Sequence, residues 1–258
     1  MNHPQFVEVS SRDNPLIKDL RKLAHDASHS RKLGRFWVEG EHLCQAALAH
    51  DWVPQIALFA QSAWASSLCS LGQSAHKTVV VPDVLFHTVS ALESSASIGF
   101  VMELPKAAAI QAGVASVILD RVQDPGNVGS ILRSAAAFGF RQVIALKGSA
   151  NVWNAKVLRA GMGAHFGLHL VEGVEPHLLE ALGLPLIVTS SHQGRSLHHQ
   201  QLPWPCAWVL GHEGQGIQET LLSRASLTVR IAQPGGEESL NVAAAAAICL
   251  HASAIAQA

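Results

Sequence analysis

The chain reads as an α/β protein in two parts, a small α/β domain followed by an open parallel sheet with helices on both faces. Short apolar runs bounded by turn residues alternate with amphipathic stretches along most of its length. In the second half, "VASVILD" (Val114–Asp120), "SILRSAAAFGF" and "QVIALKG" (Gln142–Gly148) make a strand–helix–strand unit. Its crossover is long enough to make the strands parallel and right-handed. Between the halves, "MELPKAAAIQAG" (Met102–Gly113) carries Pro, Ala and Gly with little pattern, and 106–113 within it reads as a linker. The expected organisation is a domain over 1–105, that linker, and a domain over 114–258.

Bulk properties bound the function. The 258 residues are 48% hydrophobic and 14% charged, which supports a substantial core and argues against disorder. Formal net charge is −1, so nothing global marks a nucleic-acid binder, although binding depends on where charges sit. Cys44, Cys69, Cys206 and Cys249 have no zinc-site or CxxC spacing and suit a reducing compartment. Neither a signal-peptide core nor a membrane-length apolar run is present, so a soluble cytoplasmic protein is expected.

In the first half, Asn14 reads as a helix cap with Pro15 at the first helical position and Leu16, Leu20 and Leu23 as the apolar stripe. "RFWVEG" (Arg35–Gly40) reads as a strand and Glu41–Ala49 as a helix. "QIALFA" (Gln55–Ala60) and "KTVVVP" (Lys77–Pro82) read as buried strands. Arg12, Lys18, Arg21, Lys22, Arg31, Lys32 and Arg35 are opposed only by Asp13, Asp19 and Asp26. Such a run is either a solvated helix face or a surface that contacts RNA phosphates. Trp37 is either a base-stacking platform or a core residue.

The second half continues with helical "NAKVLRAGMGA", strand "GLHLV", helical "EPHLLEAL" and strands "PLIVTSS", "AWVLG" (Ala207–Gly211) and "LTVRIA" (Leu227–Ala232). Open parallel sheets bind ligands at the carboxyl ends of their strands. Three loops qualify, each following an apolar strand and leading toward a helix. "DPGNVGSILR" (Asp124–Arg133) is dense turn chemistry in which Gly129 allows close backbone approach, with Arg133 on the following helix. "LGHEGQGI" (Leu210–Ile217) has glycines in the order G-x-x-G-x-G, not the dinucleotide G-x-G-x-x-G, and no Walker lysine follows. "IAQPGGEESLN" (Ile231–Asn241) opens an Ala-rich helix. Ser239 reads as its cap, with Glu237 and Glu238 at the positive end of the dipole. That leaves Asn241, a poor helix former, inside the first turn without a purpose. Capping alone and a ligand site both remain open there.

These residues carry a resemblance. The pattern N-x-G-x-x-x-R at Asn127, Gly129 and Arg133, L-G-x-E at Leu210–Glu213 with the glycines after it, and "PGGEESLNV" (Pro234–Val242) resemble, in order and spacing, the three motifs of the SpoU (TrmH-type) RNA methyltransferases of the SPOUT class. The match runs from about Val114 to the C-terminus. "SRDNPLIKDLRKL" and "FWVEGEHL" in the first half are similar to the L30e-like, RNA-binding domain of many members.

The resemblance implies a C-terminal domain with a deep trefoil knot, a homodimer with the active site at its interface, and S-adenosylmethionine as the cofactor, with no metal. It implies Gly211, Ile231 and Leu240, bordered by Thr189 and Ser190, as the cofactor pocket. Catalytic roles fall to Arg133, Asn127, Glu213, Ser239 and Asn241. The reaction implied is methyl transfer to a ribose 2′-hydroxyl, with 23S ribosomal RNA favoured over transfer RNA by the basic N-terminal stretch. A catalytically silent RNA-binding protein of the same fold is the alternative. One departure stands out: Ala232–Gln233 occupies the place where many members have Pro-Met. The His-rich Ser190–Gln201 stretch reads as a solvated loop.

Overall fold

The structure, a computed structural model, describes residues 5–26, 29–90, 96–190, 194–235 and 239–257. The chain divides into two compact units, Met1–Lys106 with Trp153–Phe166, and Ala107–Val152 with Gly167–Ala258. The first unit's main stretch ends at the start of the expected linker, and two details differ from the sequence reading. Ala107–Gly113 is not a free linker: Ala108 and Ile110 pack on the second unit's core, and Gln111 N–H donates to Gln142 at 2.8 Å. The segment Trp153–Phe166 counts with the first unit because its aromatic rings pack there, Trp153 against Phe36 at 4.7 Å between ring centres.

In the first unit, β1 (Phe6–Glu8), β2 (Arg35–Glu39), β3 (Ile56–Ala60), β4 (Lys77–Val81) and β5 (Ile98–Glu103) form a mixed sheet in the order β1-β4-β3-β5-β2. Strands β1, β4 and β3 run parallel, and β5 lies antiparallel between β3 and β2. Strand β5 was not read from the sequence. Gly99 interrupts its pattern because a Cβ there would lie 2.3 Å from the Trp37 ring. That packing makes Trp37 a core residue: it is 1% exposed and its indole N–H donates to Glu39 at 3.2 Å. It offers no stacking face to a base.

The helix Pro15–His25 starts as expected. Asn14 Oδ1 accepts from Leu16 N–H at 2.9 Å, and Pro15 holds the first position, where a missing N–H costs nothing. Its buried stripe is Ile17, Leu20, Leu23 and Ala24 rather than one starting at Leu16.

The second unit holds β6 (Ser116–Leu119), β7 (Gln142–Leu146), β8 (His169–Val174), β9 (Leu186–Thr189), β10 (Arg195–Ser196), β11 (Ala207–Leu210) and β12 (Leu227–Arg230). Their order is β10-β12-β9-β11-β6-β7-β8 and every pairing is parallel. The central strands β6, β7 and β11 are short apolar runs such as "AWVL" and "SVIL", buried throughout, as parallel strands covered on both faces must be. From β6 the chain proceeds outward through β7 and β8, then resumes on the opposite side of β6 with β9, β11 and β12. Neighbouring strands that diverge in this way leave a crevice at their carboxyl ends. Register aligns those ends, with Leu210 beside Leu119 and Val188 beside Val209.

Among the described residues no helix is long and apolar enough to cross a membrane. All four cysteines are free thiols. Cys44, Cys206 and Cys249 are fully buried, whereas Cys69 is partly exposed. Burial raises the Cys44 thiol well above the ordinary range and pushes Cys206 up to about 11 and Cys249 up to about 12. Thiolate is the reactive form, so the buried three are doubly protected. Alkylation of the native protein at mildly alkaline pH should therefore label one site, Cys69, and Cys69→Ala should abolish that fast phase. Mass-spectrometric mapping checks this; rapid labelling of Cys206 or Cys249 would contradict the burial.

Candidate active site

The first loop is tighter than a turn. Asp124 caps the helix Pro125–Ala137, its carboxylate accepting from Asn127 N–H at 2.7 Å, with Pro125 at the first position. Asn127 therefore stands in the helix's first turn at the carboxyl end of β6. Arg133 lies six residues on, more than two turns into the helix. At 3.6 residues per turn it points roughly a third of a turn away from Asn127.

The second loop follows β11. Glu213 accepts from Gln123 N–H at 3.3 Å, Asp124 N–H at 3.1 Å and Asn127 Nδ2 at 3.1 Å. Burial pushes its carboxyl up, but the Asn127 amide and these backbone donors outweigh that and hold it below the ordinary glutamate range. Glu213 thus stays ionised at neutral pH and orients Asn127.

The third loop corrects the sequence reading. The final helix is Val242–Ile255, and its cap is Asn241, not Ser239. Asn241 Oδ1 accepts from Ala243 N–H at 2.9 Å and Ala244 N–H at 3.2 Å. Its amide Nδ2 is left free to donate to Asn127 Oδ1 at 3.0 Å. Asn241 performs both tasks that seemed to compete, which explains Asn rather than Ser or Asp at this cap. Glu237 and Glu238 lie outside the described residues. The result is a continuous chain of bonds, Glu213–Asn127–Asn241, joining all three loops.

Beside this chain lies a cleft of about 620 Å³, within the usual range for small-molecule sites of roughly 300–1,000 Å³. Thr189, Ser190, Gly211, Glu213, Ile231, Ser239, Leu240 and Asn241 all line it, together with His212, Gln215, Ile217 and Gln233. Every residue proposed for the cofactor is in that lining. Asn127 is joined to it through Glu213 and Asn241. Arg133 is exposed and is not part of the lining.

Two features shape the wall. A Cβ on Gly211 would lie 2.5 Å from the carbonyl carbon of Gly216, so only glycine permits this folded-back loop. Gln233 Oε1 is a buried acceptor without a partner, and such a group normally has one. The substitution at Gln233 thus adds a polar atom to a wall where the resemblance implies Met.

The sequence reading missed the supports of this cleft. Asp120, fully buried at the end of β6, accepts from Arg121 Nε at 2.9 Å and Gln218 N–H at 2.7 Å. Polar residues inside a buried run are the only sequence signal for it, and they carry no motif.

The seven basic residues of the first unit differ in exposure and in partners. Arg12, Lys22, Arg31, Lys32 and Arg35 are exposed. Lys18 is exposed but pairs with Asp13 at 3.0 Å, an interaction of little worth in water. Arg21 is committed to the Thr88 hydroxyl, at 2.6 Å from Nη2 and 3.2 Å from Nε. Arg21 thus serves the fold of its own unit. In the His-rich stretch, Ser191–Gln193 lie outside the described residues, and Arg195–Ser196 form β10. Among the described residues no three His, Cys, Asp or Glu side chains converge as a metal site would require.

The two tasks of Asn241 can be separated. Asn241→Ala should cost about 1 kcal/mol of stability through the lost cap and also disable the site. Asn241→Asp keeps the capping oxygen but sets a carboxylate against Asn127 Oδ1. It should retain wild-type thermal stability and lose catalysis. Thermal unfolding and turnover on the same preparations check this; an active Asn241→Asp protein would show that the bond to Asn127 is dispensable.

Comparison with known proteins identifies the chain's relatives. Residues 115–251 match the SpoU rRNA Methylase family, and residues 14–98 match the MRM3-like substrate binding domain. The chain is 30% identical over 249 residues to the 23S rRNA (guanosine(2553)-2′-O)-methyltransferase RlmP of Bacillus subtilis (strain 168), covering 95% of this chain and 98% of that protein. A solved structure of a putative RNA methyltransferase of the TrmH family from Porphyromonas gingivalis superposes with a TM-score of 0.80 at 30% identity, covering 93% and 97% of the two chains. An AdoMet-bound rRNA methyltransferase from Sinorhizobium meliloti gives 0.82 at 25% identity, covering 95% and 96%. The match to the family spans more than half of the chain and includes all three loops, and the chain belongs to the SpoU rRNA methylase family.

Proposed function

We propose that the protein transfers the methyl group of S-adenosylmethionine to a ribose 2′-hydroxyl of 23S ribosomal RNA. The observation that carries this reading is the bonded chain Glu213–Asn127–Asn241 beside a glycine-walled cleft at the carboxyl ends of β9, β11 and β12. The cofactor fits the residues present. Gly211 lets its loop fold back on itself to form one wall, and Gln233 Oε1 offers an unpartnered acceptor to an amine or hydroxyl. Thr189, Ser190, Gly211, Ile231 and Leu240 would hold it. Bound there, it supplies a methyl group already activated by the sulfonium.

The protein's remaining tasks are alignment and charge. A ribose held in line with the methyl group gains from fixed orientation. Asn127, anchored by Glu213 on one side and Asn241 on the other, is a rigid polar group suited to that positioning, and exposed Ser239 adds a hydroxyl at the rim. Arg133 scarcely deprotonates and is a poor base. Its role is to stabilise the alkoxide that develops as the hydroxyl loses its proton, or a neighbouring phosphate.

Arg133 does not line the cleft of its own chain, and a homodimer resolves this by completing each site at an interface. Support comes from the helix Val242–Ile255, which is apolar around its circumference and leaves Ile255 60% exposed. We read the C-terminal strands and this helix as the trefoil-knotted part of the fold, and the first unit as an L30e-like RNA-binding domain presenting Arg12, Lys22, Arg31, Lys32 and Arg35. Free thiols suit the cytoplasm. RlmP's named substrate, a 23S ribosomal guanosine, favours ribosomal over transfer RNA for this relative.

Incubation with labelled S-adenosylmethionine and separated ribosomal and transfer RNA tests this, ideally with RNA from cells lacking the protein. Label should enter the large ribosomal RNA as a 2′-O-methylnucleoside. Arg133→Ala should slow transfer on the order of 100-fold. Label confined to transfer RNA would change the substrate. Neither label nor cofactor binding would leave an RNA-binding protein without catalysis.

A further inference from the structure

The loop Gly211–Gln218 is braced more heavily than a surface turn needs. Its ends are joined twice through main chain, His212 N–H to Gly216 O at 3.1 Å and Gly216 N–H to His212 O at 2.9 Å. Two side chains then hold what lies between. From within, His212 Nδ1 accepts from Gly214 N–H at 2.9 Å and Gln215 N–H at 3.1 Å. From outside, Arg121 donates through Nη1 to Gln215 Oε1 at 2.8 Å and through Nη2 to Gly216 O at 3.3 Å.

Neither brace is incidental. Two backbone donors on Nδ1 require that nitrogen to be unprotonated and put the ring hydrogen on Nε2. Arg121 adopts φ +57°, a left-handed conformation costly for a side-chain-bearing residue. Strained backbone of this kind collects at functional sites, where surrounding structure holds it. Here the holding group is Asp120, fully buried, which takes Arg121 Nε at 2.9 Å and Nη2 at 3.3 Å and also fixes Gln218 at the loop's far end. The braced backbone is a wall of the cleft, folded back as closely as it is because Gly211 has no side chain.

We propose that His212 and Arg121 are positioning residues that shape this wall before the ligand arrives, and so set cofactor affinity while touching no reacting atom. The inference rests on S-adenosylmethionine being the ligand of the cleft. It gives Asp120 its purpose: a buried carboxylate that keeps the Arg121 fork aimed at the loop. A loop ordered in advance loses little entropy when it binds.

The test uses the full chain, with S-adenosylmethionine affinity measured by calorimetry, RNA affinity by filter retention, and thermal unfolding as a control. Three variants suffice. His212→Ala removes the inner brace. His212→Asn restores it, because an Asn oxygen accepts from the N–H two residues on, as in an Asx-turn. Arg121→Gly keeps the left-handed backbone without strain and removes the outer brace. His212→Ala and Arg121→Gly should each weaken cofactor binding about tenfold, the loss expected for one or two hydrogen bonds. RNA retention should be unchanged, and His212→Asn should return to within about twofold of wild type.

Wild-type affinity in His212→Ala and Arg121→Gly would overturn the proposal. So would an equal fall in RNA retention, which marks a general loss of structure, or a His212→Asn protein as weak as His212→Ala. Failure of the wild type itself to bind S-adenosylmethionine would instead remove the reading of the cleft on which the proposal depends.

Discussion

Glu213 carries the arrangement of the site. Its carboxylate leaves the end of one strand and accepts three hydrogen bonds from the loop that follows the neighbouring strand. One of these fixes Asn127, which in turn receives Asn241 from the third loop. Three segments, the outer two 114 residues apart in sequence, are thereby joined through polar atoms of only three side chains. Ionised carboxylates make the stronger class of hydrogen bond, and the donors that surround Glu213 keep it ionised. Without it, Asn127 has no reason to face Asn241, and the cleft loses the side that orients a substrate.

The sheet makes such an arrangement possible. Strands β6 and β11 are register-aligned parallel neighbours, so their following loops leave the same edge at the same level. Helix caps then finish the work. Asp124 and Asn241 each end a loop by capping a helix, and each does so within bonding reach of Asn127. The polar residues that start these helices are thus the residues that build the site. Structural and functional demands fall on the same atoms, as the two ends of the Asn241 amide illustrate.

This also explains how much was legible in the sequence. The parallel unit was readable because its strands are short apolar runs between turn residues, and the loops stood out because polar residues sit there among glycines. Strand β5 escaped because Gly99, required by the Trp37 ring, breaks its pattern. The cap at Asn241 was misassigned to Ser239 because both residues favour helix starts, and only the coordinates show which N–H groups each can reach. Asp120 and Arg121 were invisible for a different reason. Their partners, Gln215, Gly216 and Gln218, lie more than ninety residues away, and no spacing rule connects them. Arg133 was legible as a residue type but not as a position, since it stands outside the cleft's lining.

The central claim is that the three loops act as one bonded unit rather than as independent contributors. A double-mutant cycle on methyl transfer, with Asn127→Ala, Glu213→Ala and the pair together, tests it most directly. Residues that act as a unit give strongly non-additive losses. The account predicts that the double variant is no slower than the worse single variant. Losses that multiply, each substitution slowing the other's protein by its full factor, would show that Glu213 and Asn127 contribute separately and would contradict it.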